Sequence, residues 1–341
     1  RPPSTAATTP PRPPVANARA AAWEALSELE GGRPLEAILA DIDRQLIDGR
    51  ERGLARELVL GCLRWQARLD HIAAAYYTGQ EPAAISPAAR RLLRLGLYQL
   101  LWLDRVPDHA AIHATVELAK QVAHSGIAAL LNAVLRQAQK EPDRVVFPDA
   151  DAAPVAHLAL LHSHPEWLVA RWLERWGLAR TTALLEANNL PAPVCVAANT
   201  DRGDAEQLRR SLDAAGVAAA PCPGSAQHLV VEDASALFAS APFAAGECFV
   251  QDANAALAVA LLAPPPGARV LDLCSAPGGK TLQLALAVGS GGMVVAADSA
   301  RDRLDRVLAN RQRLDVAGVC ALVQDARRPG VRSDCWPWVL A

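Results

Sequence analysis

A chain of 341 residues is long enough for two or three domains. Hydrophobic residues make up 51% of it, which excludes disorder throughout. Its 34 basic and 36 acidic side chains give a net charge of −2, which excludes a protein that is basic over its whole surface. Any nucleic-acid contact must therefore use local patches, and residues 146–246 hold only 6 basic against 11 acidic side chains. The longest apolar stretches, such as Ala255–Ala263, are too short to span a bilayer. No basic segment followed by an apolar core marks a secretory signal. A soluble cytoplasmic protein with no membrane partner is the expectation. The seven cysteines, Cys62, Cys195, Cys222, Cys248, Cys274, Cys320 and Cys335, are scattered without a C-x-x-C pair. Neither a zinc site nor a disulfide framework is indicated, and most are expected to be small buried hydrophobes.

Arg1–Pro14 is rich in Pro, Ala and Thr and reads as a flexible tail. It does not start with Met, and the expectation is a fragment or a processed start. From Val15 to Lys140 the pattern is helical. Ala18, Ala22, Leu26 and Leu29 share one face, and Leu54, Leu58, Cys62 and Trp65 another. Leu92, Leu93, Leu97, Leu100 and Leu101 form a third apolar face. Asp108 is expected to cap a helix His109–His124. Ser125 is expected to cap Ile127–Lys140, with Ile127, Leu130, Leu131, Val134 and Leu135 inward. The prediction is an all-α bundle.

The strings LARELVLGCLRWQARLD, RLLRLGLYQLLWL, VPDHAAIHATVELAK and ALLNAVLRQ occur in that order. They resemble the NusB-like RNA-binding domain. Arg56, Arg64, Arg68, Arg90, Arg91 and Arg94 lie on these helices. They read either as a solvated face or as phosphate contacts to ribosomal RNA. His71, His109, His113 and His124 read as surface or capping residues.

Glu141–Val155, with three prolines, reads as a linker. A helix His162–Gly177 is expected, with Pro165 near its start and Gly177 at its end. It carries Trp167, Trp172 and Trp176, which read as core packing, with a base-stacking platform as the alternative. Asn188-Asn189-Leu190-Pro191 breaks the chain. A strand Val194–Asn199, a helix Asp204–Ala215 ended by Gly216, and a strand His228–Val231 make a small α/β module.

The stretch RVLDLCSAPGGKT, Arg269–Thr281, reads as strand, small-residue turn and helix, the arrangement that presents a ligand at strand carboxyl ends. Gly278 and Gly279 allow close backbone approach. A phosphate-gripping G-x-x-x-x-G-K-S/T is excluded because Cys274 holds the first glycine position, and G-x-G-x-x-G is absent. A second strand, Met293–Ala297, ends at Asp298, which suits ribose hydroxyls or the cap of the next helix. The helix Arg301–Leu314 and a strand Val319–Val323 follow, ending in Gln324-Asp325. With both phosphate motifs missing, S-adenosylmethionine is the cofactor that fits best.

DLCSAPGGKT resembles motif I of the RNA cytosine-5 methyltransferases of the NOL/NOP/Sun group. HPEWLVARW, NNLPAP and FVQDANAAL resemble the RsmB (Sun/Fmu) branch, which methylates 16S ribosomal RNA. The resemblance runs from about Ala18 to Asp325. It implies that Cys274, Ser275, Ala276, Pro277, Gly278, Gly279 and Lys280 line the donor pocket. It further implies that Asp298 holds the ribose with Arg303 nearby, and that Asp325 meets the adenine side. The family's chemistry adds a cysteine thiolate to carbon 6 of cytosine, so that carbon 5 takes the methyl group. A base then removes the carbon-5 proton and the thiol leaves.

That chemistry uses a Pro-Cys and a Thr-Cys motif after the third and fourth strands of the sheet, and neither follows those strands here. No catalytic cysteine is assigned. Cys335 follows Asp334 and precedes Trp338-Val339-Leu340, which reads as the start of the fourth strand. The expectation is an incomplete C-terminal domain in which Val270–Leu273 is an edge apolar on both faces and residues 247–341 are marginally stable, while the bundle at 15–140 folds by itself. The expected architecture is multidomain: a tail at 1–14, an all-α NusB-like helical bundle at 15–140 and a linker at 141–155. A small α/β connecting module at 156–246 and an incomplete Rossmann-like α/β methyltransferase domain at 247–341 complete it. A monomer acting on 16S ribosomal RNA, without metal or DNA, is expected. The alternatives are a non-catalytic RNA-binding or antitermination-like module, or a methyltransferase for a different RNA.

Overall fold

The structure, a computed structural model, describes residues 17–77, 85–123, 125–328 and 330–341. The expected tail Arg1–Pro14 and His124 lie outside the described residues. The chain divides after Leu190 into two units.

The first unit is helical because apolar residues repeat at helical spacing between good caps. Asn17 accepts the backbone N–H groups of Arg19 and Ala20 to open α1 (Ala18–Glu30). After α2 (Leu35–Gln45), Asp48 caps α3 (Gly49–Arg64), which runs into α4 (Gln66–Ala75). Ser86 caps α5 (Pro87–Trp102), which has proline in its first turn. The helices α6 (Asp108–Val122) and α7 (Ser125–Lys140) follow. Leu92, Leu93, Leu97, Leu131 and Leu135 are buried in the core that these helices share. Truncating any one to alanine typically costs about 2–5 kcal/mol.

A polar thread crosses this core. Arg19 Nε donates to Gln99 Oε1 (2.6 Å), and Gln99 Nε2 donates to Leu95 O (2.8 Å) and to Thr115 Oγ1 (3.2 Å). Those bonds satisfy the buried amide and tie α1 to α5 and α6.

Several expectations need correction here. Asp108 is the first residue of α6 rather than its cap, a position where its charge suits the helix dipole. Leu101 is exposed and Leu130 only half-buried, because the apolar stripe is narrower than the leucine run. The Pro-rich stretch after Lys140 packs on the bundle: Tyr76 donates to Glu141 O (2.8 Å), and the rings of His71 and Phe147 lie 4.9 Å apart. Next, α8 (Pro154–Leu161) packs against α9 (Glu166–Asn189). Gly177, at φ 71° and ψ 176°, ends the first of two helical pieces of α9 as expected, and a second piece follows across the kink. Core packing does not hold for two of the three tryptophans. Trp167 and Trp176 are exposed, and only Trp172 packs on the small core around Val169 and Leu185.

The second unit holds two four-stranded sheets. The first is antiparallel in the order β2-β3-β1-β4, built from β1 (Val194–Ala198), β2 (Ala219–Pro221), β3 (His228–Val231) and β4 (Cys248–Val250). Asp204 and Gln207 form a reciprocal capping box for α10 (Ala205–Ala214). The short helices α11 (Ala234–Ala239) and α12 (Ala241–Ala244) precede β4. Then α13 (Ala253–Leu262) leads to the second sheet, which is parallel. Its elements are β5 (Arg269–Asp272), α14 (Gly279–Val288), β6 (Met293–Asp298), α15 (Arg301–Leu314), β7 (Val319–Val323) and β8 (Trp338–Leu340).

The strand order β7-β6-β5-β8 overturns the expected edge at Val270–Leu273. Val270, Leu271 and Asp272 pair with Trp338, Val339 and Leu340, and Leu273 N donates to Leu340 O (2.9 Å). Three residues are enough to satisfy the backbone groups of so short a strand. The expectation for the cysteines also fails, since only Cys62 and Cys248 are buried. Cys274 is exposed in a loop, and Cys320 is exposed on the outermost strand β7.

Two glycines of α3 test the packing. A Cβ on Gly61 would run into the Tyr98 ring, whereas a Cβ on Gly53 meets nothing within 4 Å. We expect Gly61→Ala to lower the unfolding free energy by about 1–3 kcal/mol. Gly53→Ala is expected to raise it by about 0.5–1 kcal/mol, both read by urea denaturation.

Candidate functional site

Parallel pairing puts the carboxyl ends of β5, β6, β7 and β8 on one edge of the sheet. Chain order reverses at β5, which has its sequence successor β6 on one side and β8 on the other. The crevice outside such a reversal is where open α/β sheets bind ligands. The Gly-rich loop leaves β5 at this point.

Asp272 anchors the loop. Its side chain is buried, accepts the Thr281 hydroxyl (2.7 Å) and accepts the Cys274 N–H (3.3 Å). Burial pushes its pKa above the usual carboxylate value, and Asp298 adds to the push. The two hydrogen bonds and the Lys280 charge pull it back. Thr281 lies in the first turn of α14, so one carboxylate joins the strand, the loop and the helix.

The loop is also stitched to β6. Ser275 N donates to Ala297 O (2.9 Å), and Ala276 N lies 3.4 Å from Asp298 Oδ2. Asp298 is buried at the end of β6, and its Oδ1 receives Ala300 N (3.1 Å) and the Arg303 guanidinium (2.7 Å). Gly278 is the cap position of α14 at φ 114°, a left-handed conformation that favours glycine. No side chain caps α14, so the N–H groups of its first turn are left for a ligand. Two buried polar atoms near these strand ends, Ser275 Oγ and Gln324 Nε2, have no hydrogen-bond partner among the described residues. Orphaned buried groups of this kind fit a polar ligand rich in hydroxyls and ring nitrogens.

The residues expected in the pocket fall into place unevenly. Ser275, Gly278 and Asp298 are buried, Ala276, Gly279 and Lys280 are half-buried, and Cys274 and Pro277 are exposed. Arg303 is spent on Asp298. Asp325 follows β7, but Arg327 takes both of its oxygens, at 2.7 and 3.0 Å, and holds its carboxyl below the usual range.

Three further residues had no role assigned from sequence. Asp272 and Thr281 were visible as an acid and a hydroxyl nine residues apart across the Gly pair. Gln251, in FVQDANAAL, donates to Gln283 of α14 (2.7 Å) and accepts from His228 Nε2 (3.2 Å). His228 Nδ1 in turn meets Ser225 Oγ (2.7 Å). This buried relay joins the antiparallel sheet to the helix that carries the loop, beside a cavity of about 300 Å3.

The arginines proposed for RNA divide sharply. Arg94 is held by Asp70 through two bonds of 2.6 and 2.8 Å, and Arg91 is buried against Glu30 and the Trp23 ring. Arg68 lies over Trp65, Trp102 and Phe147 and donates to Leu161 O (3.0 Å). These three hold the bundle together and are not a solvated or phosphate-facing set. Arg56 pairs with Asp43 at half-exposed positions, and Arg64 and Arg90 are half-buried.

The Asp272 environment has a measurable sign. Its folded-state pKa is raised, so its contribution to stability is present at low pH and lost as pH rises through that pKa. Asp272→Asn is therefore expected to gain stability relative to wild type as pH rises above about 4, the unfolded-state carboxylate value, in urea titrations. A difference independent of pH would contradict the buried-charge account.

Comparison with known proteins agrees with this geometry. Residues 16–140 match the NusB family, 164–237 the ferredoxin-like domain of RsmF/B-like methyltransferases, and 259–334 the 16S rRNA methyltransferase RsmB/F family. The chain is 37% identical over 307 residues to ribosomal RNA small subunit methyltransferase B of Pseudomonas putida, covering 88% of this chain and 67% of that one. It is 32% identical over 316 residues to the probable ribosomal RNA small subunit methyltransferase B of Bacillus subtilis, covering 91% and 68%. The chain thus spans about two thirds of the length of these curated relatives. The crystal structure of PH0851 shares the fold, with a TM-score of 0.69 at 22% identity over 93% of this chain and 71% of that one. Likeness of this extent to both relatives places the chain in the family of ribosomal RNA small subunit methyltransferase B, the RsmB/F methyltransferases.

Proposed function

We propose that this chain binds S-adenosylmethionine at the carboxyl ends of β5, β6 and β7, and that it serves methylation of carbon 5 of a cytosine in 16S ribosomal RNA. The observation that carries the reading is the Cys274–Lys280 loop, fixed between the buried carboxylates of Asp272 and Asp298, with the Ser275 hydroxyl buried and unpartnered. The printed names of the relatives support the ribosomal substrate.

In this reading Asp298 Oδ2 would accept the ribose hydroxyls, because Arg303 already occupies Oδ1. Gln324 and Asp325 would face the adenine. The first turn of α14 and the backbone of Gly278 and Gly279 would hold the donor's amino-acid carboxylate. Bound S-adenosylmethionine supplies an electrophilic methyl group on its sulfonium.

None of the seven cysteines is assigned as the nucleophile that the resemblance requires. Cys335 donates to Asp334 in the turn before β8, and the Pro221-Cys222 dipeptide lies at the end of β2 in the antiparallel sheet. Donor binding is therefore the property to measure in this chain. Of the arginines named for RNA, Arg56, Arg64 and Arg90 remain as proposed phosphate contacts. We retain the division into a bundle at 15–140, a connecting module to 246 and a donor domain from 247, in a soluble cytoplasmic monomer. Among the described residues, no helix is long and apolar enough to cross a membrane.

Calorimetric titration of S-adenosylmethionine into the chain tests the proposal. Saturable one-site binding is expected, and Asp298→Ala should weaken it by roughly 10- to 100-fold, the value of a hydrogen bond to a charged group. Absence of binding by folded wild-type protein, or equal affinity in the variant, would contradict it.

A further inference from the structure

We infer that α9 carries a stacking platform for single-stranded RNA. The inference rests on the RNA reading made above. It starts from what helix packing leaves uncovered. Trp167, Trp176 and Leu178 are 67%, 40% and 60% exposed. Every residue from Glu174 to Arg180 is exposed. Large apolar side chains grouped in this way mark interaction surfaces on soluble proteins.

The chemistry of the group selects the partner. Trp172 and Trp176 are one turn apart, with ring centroids 6.1 Å apart and planes tilted by 32°. His164 extends the row, 6.0 Å from Trp172. The Arg175 guanidinium lies 5.6 Å from the Trp176 ring centroid, a cation–π arrangement. Trp167, Arg171 and Arg175 follow at i, i+4 and i+8, so one indole and two cations share a face, and Arg175 carries it round to the Trp176 ring. Arg171, Arg175 and Arg180 have no carboxylate partner among the described residues, unlike the arginines consumed inside the bundle.

Trp172 is anchored on the core formed with Leu158 and Val169, which gives the row a rigid base. Gly177 turns the chain at φ 71° in open space, with nothing within 4 Å of where its Cβ would lie. The kink sets Trp176 and Leu178 on either side of an accessible bend. Unpaired arginines interleaved with exposed indoles complement a phosphate backbone whose bases are splayed out. Single-stranded RNA offers both, whereas a duplex keeps its bases stacked internally.

The test is fluorescence anisotropy of a labelled, unstructured, pyrimidine-rich oligoribonucleotide of about 12 nucleotides, titrated with the full chain. Trp167→Ala and Trp176→Ala are each expected to weaken binding by about 5-fold or more while leaving its salt dependence unchanged. Trp176→Phe should retain most of the affinity, because a π face remains. Arg171→Ala and Arg180→Ala should each reduce the slope of log affinity against log salt by about 0.7. Circular dichroism of each variant establishes that α9 is folded. The same RNA annealed to its complement should bind more weakly. Wild-type affinity in the double tryptophan variant would overturn the platform and leave the RNA reading intact, and so would a variant that changes only self-association. A folded wild-type chain that binds no RNA would overturn both.

Discussion

A carboxylate taken out of water at the end of β5 is the constraint on which the Gly-rich loop and the strand ends around it depend. Ionised Asp272 loses solvation, and this loss is only partly offset by the Thr281 hydroxyl, the Cys274 N–H and the Lys280 charge. Those same partners make strand, loop and helix a single piece. Because β5 is an inner strand, the loop opens over the reversal of strand order and not at an outer margin. The Ser275 and Ala276 N–H groups then bind the loop to the end of β6, next to Asp298. Local backbone bonding thus aims the Gly pair.

The antiparallel sheet is locked to this half of the unit by polar contacts that few substitutions could replace. Asn199 is fully buried and donates to Gly246 O (2.9 Å) and Leu314 O (3.0 Å). Arg313 donates to Phe243 O (2.6 Å) and Cys248 O (2.9 Å), and its guanidinium lies 4.0 Å over the Phe243 ring. Gln251 adds the connection to α14. The end of α15 and the middle of α14 are therefore both held from the same sheet. A disturbance in that sheet reaches the Gly-rich loop through hydrogen bonds that are buried and hence costly to leave unmade.

How much of this was legible in the sequence depended on the range of the physics. The helix Arg301–Leu314 and the strands Val319–Val323 and His228–Val231 have the bounds read from periodicity, because their signals are local. The Gly pair and Asp298 were legible because a strand-turn-helix leaves a fixed order of residue types. The three-residue strands β2 and β4 were not, since neither is long enough to show alternation. Non-local pairing was equally hidden. Arg91 and Arg94 look like surface cations on their helix, and only the fold brings Glu30 and Asp70 to them. The exposure of Trp167 and Trp176 depends on what α9 packs against, which no helical pattern records. The cover that β8 gives to β5 likewise depends on a pairing across more than sixty residues.

The central claim is that the loop after β5, held by Asp272 and Asp298, is where the methyl donor sits. Hydrogen–deuterium exchange with and without S-adenosylmethionine tests it most directly. The account predicts slower exchange confined to the amides of Cys274–Lys280, the turn after Asp298 and the segment after β7, with the helical bundle unchanged. Protection elsewhere, with these three segments unaffected at saturating donor, would contradict it.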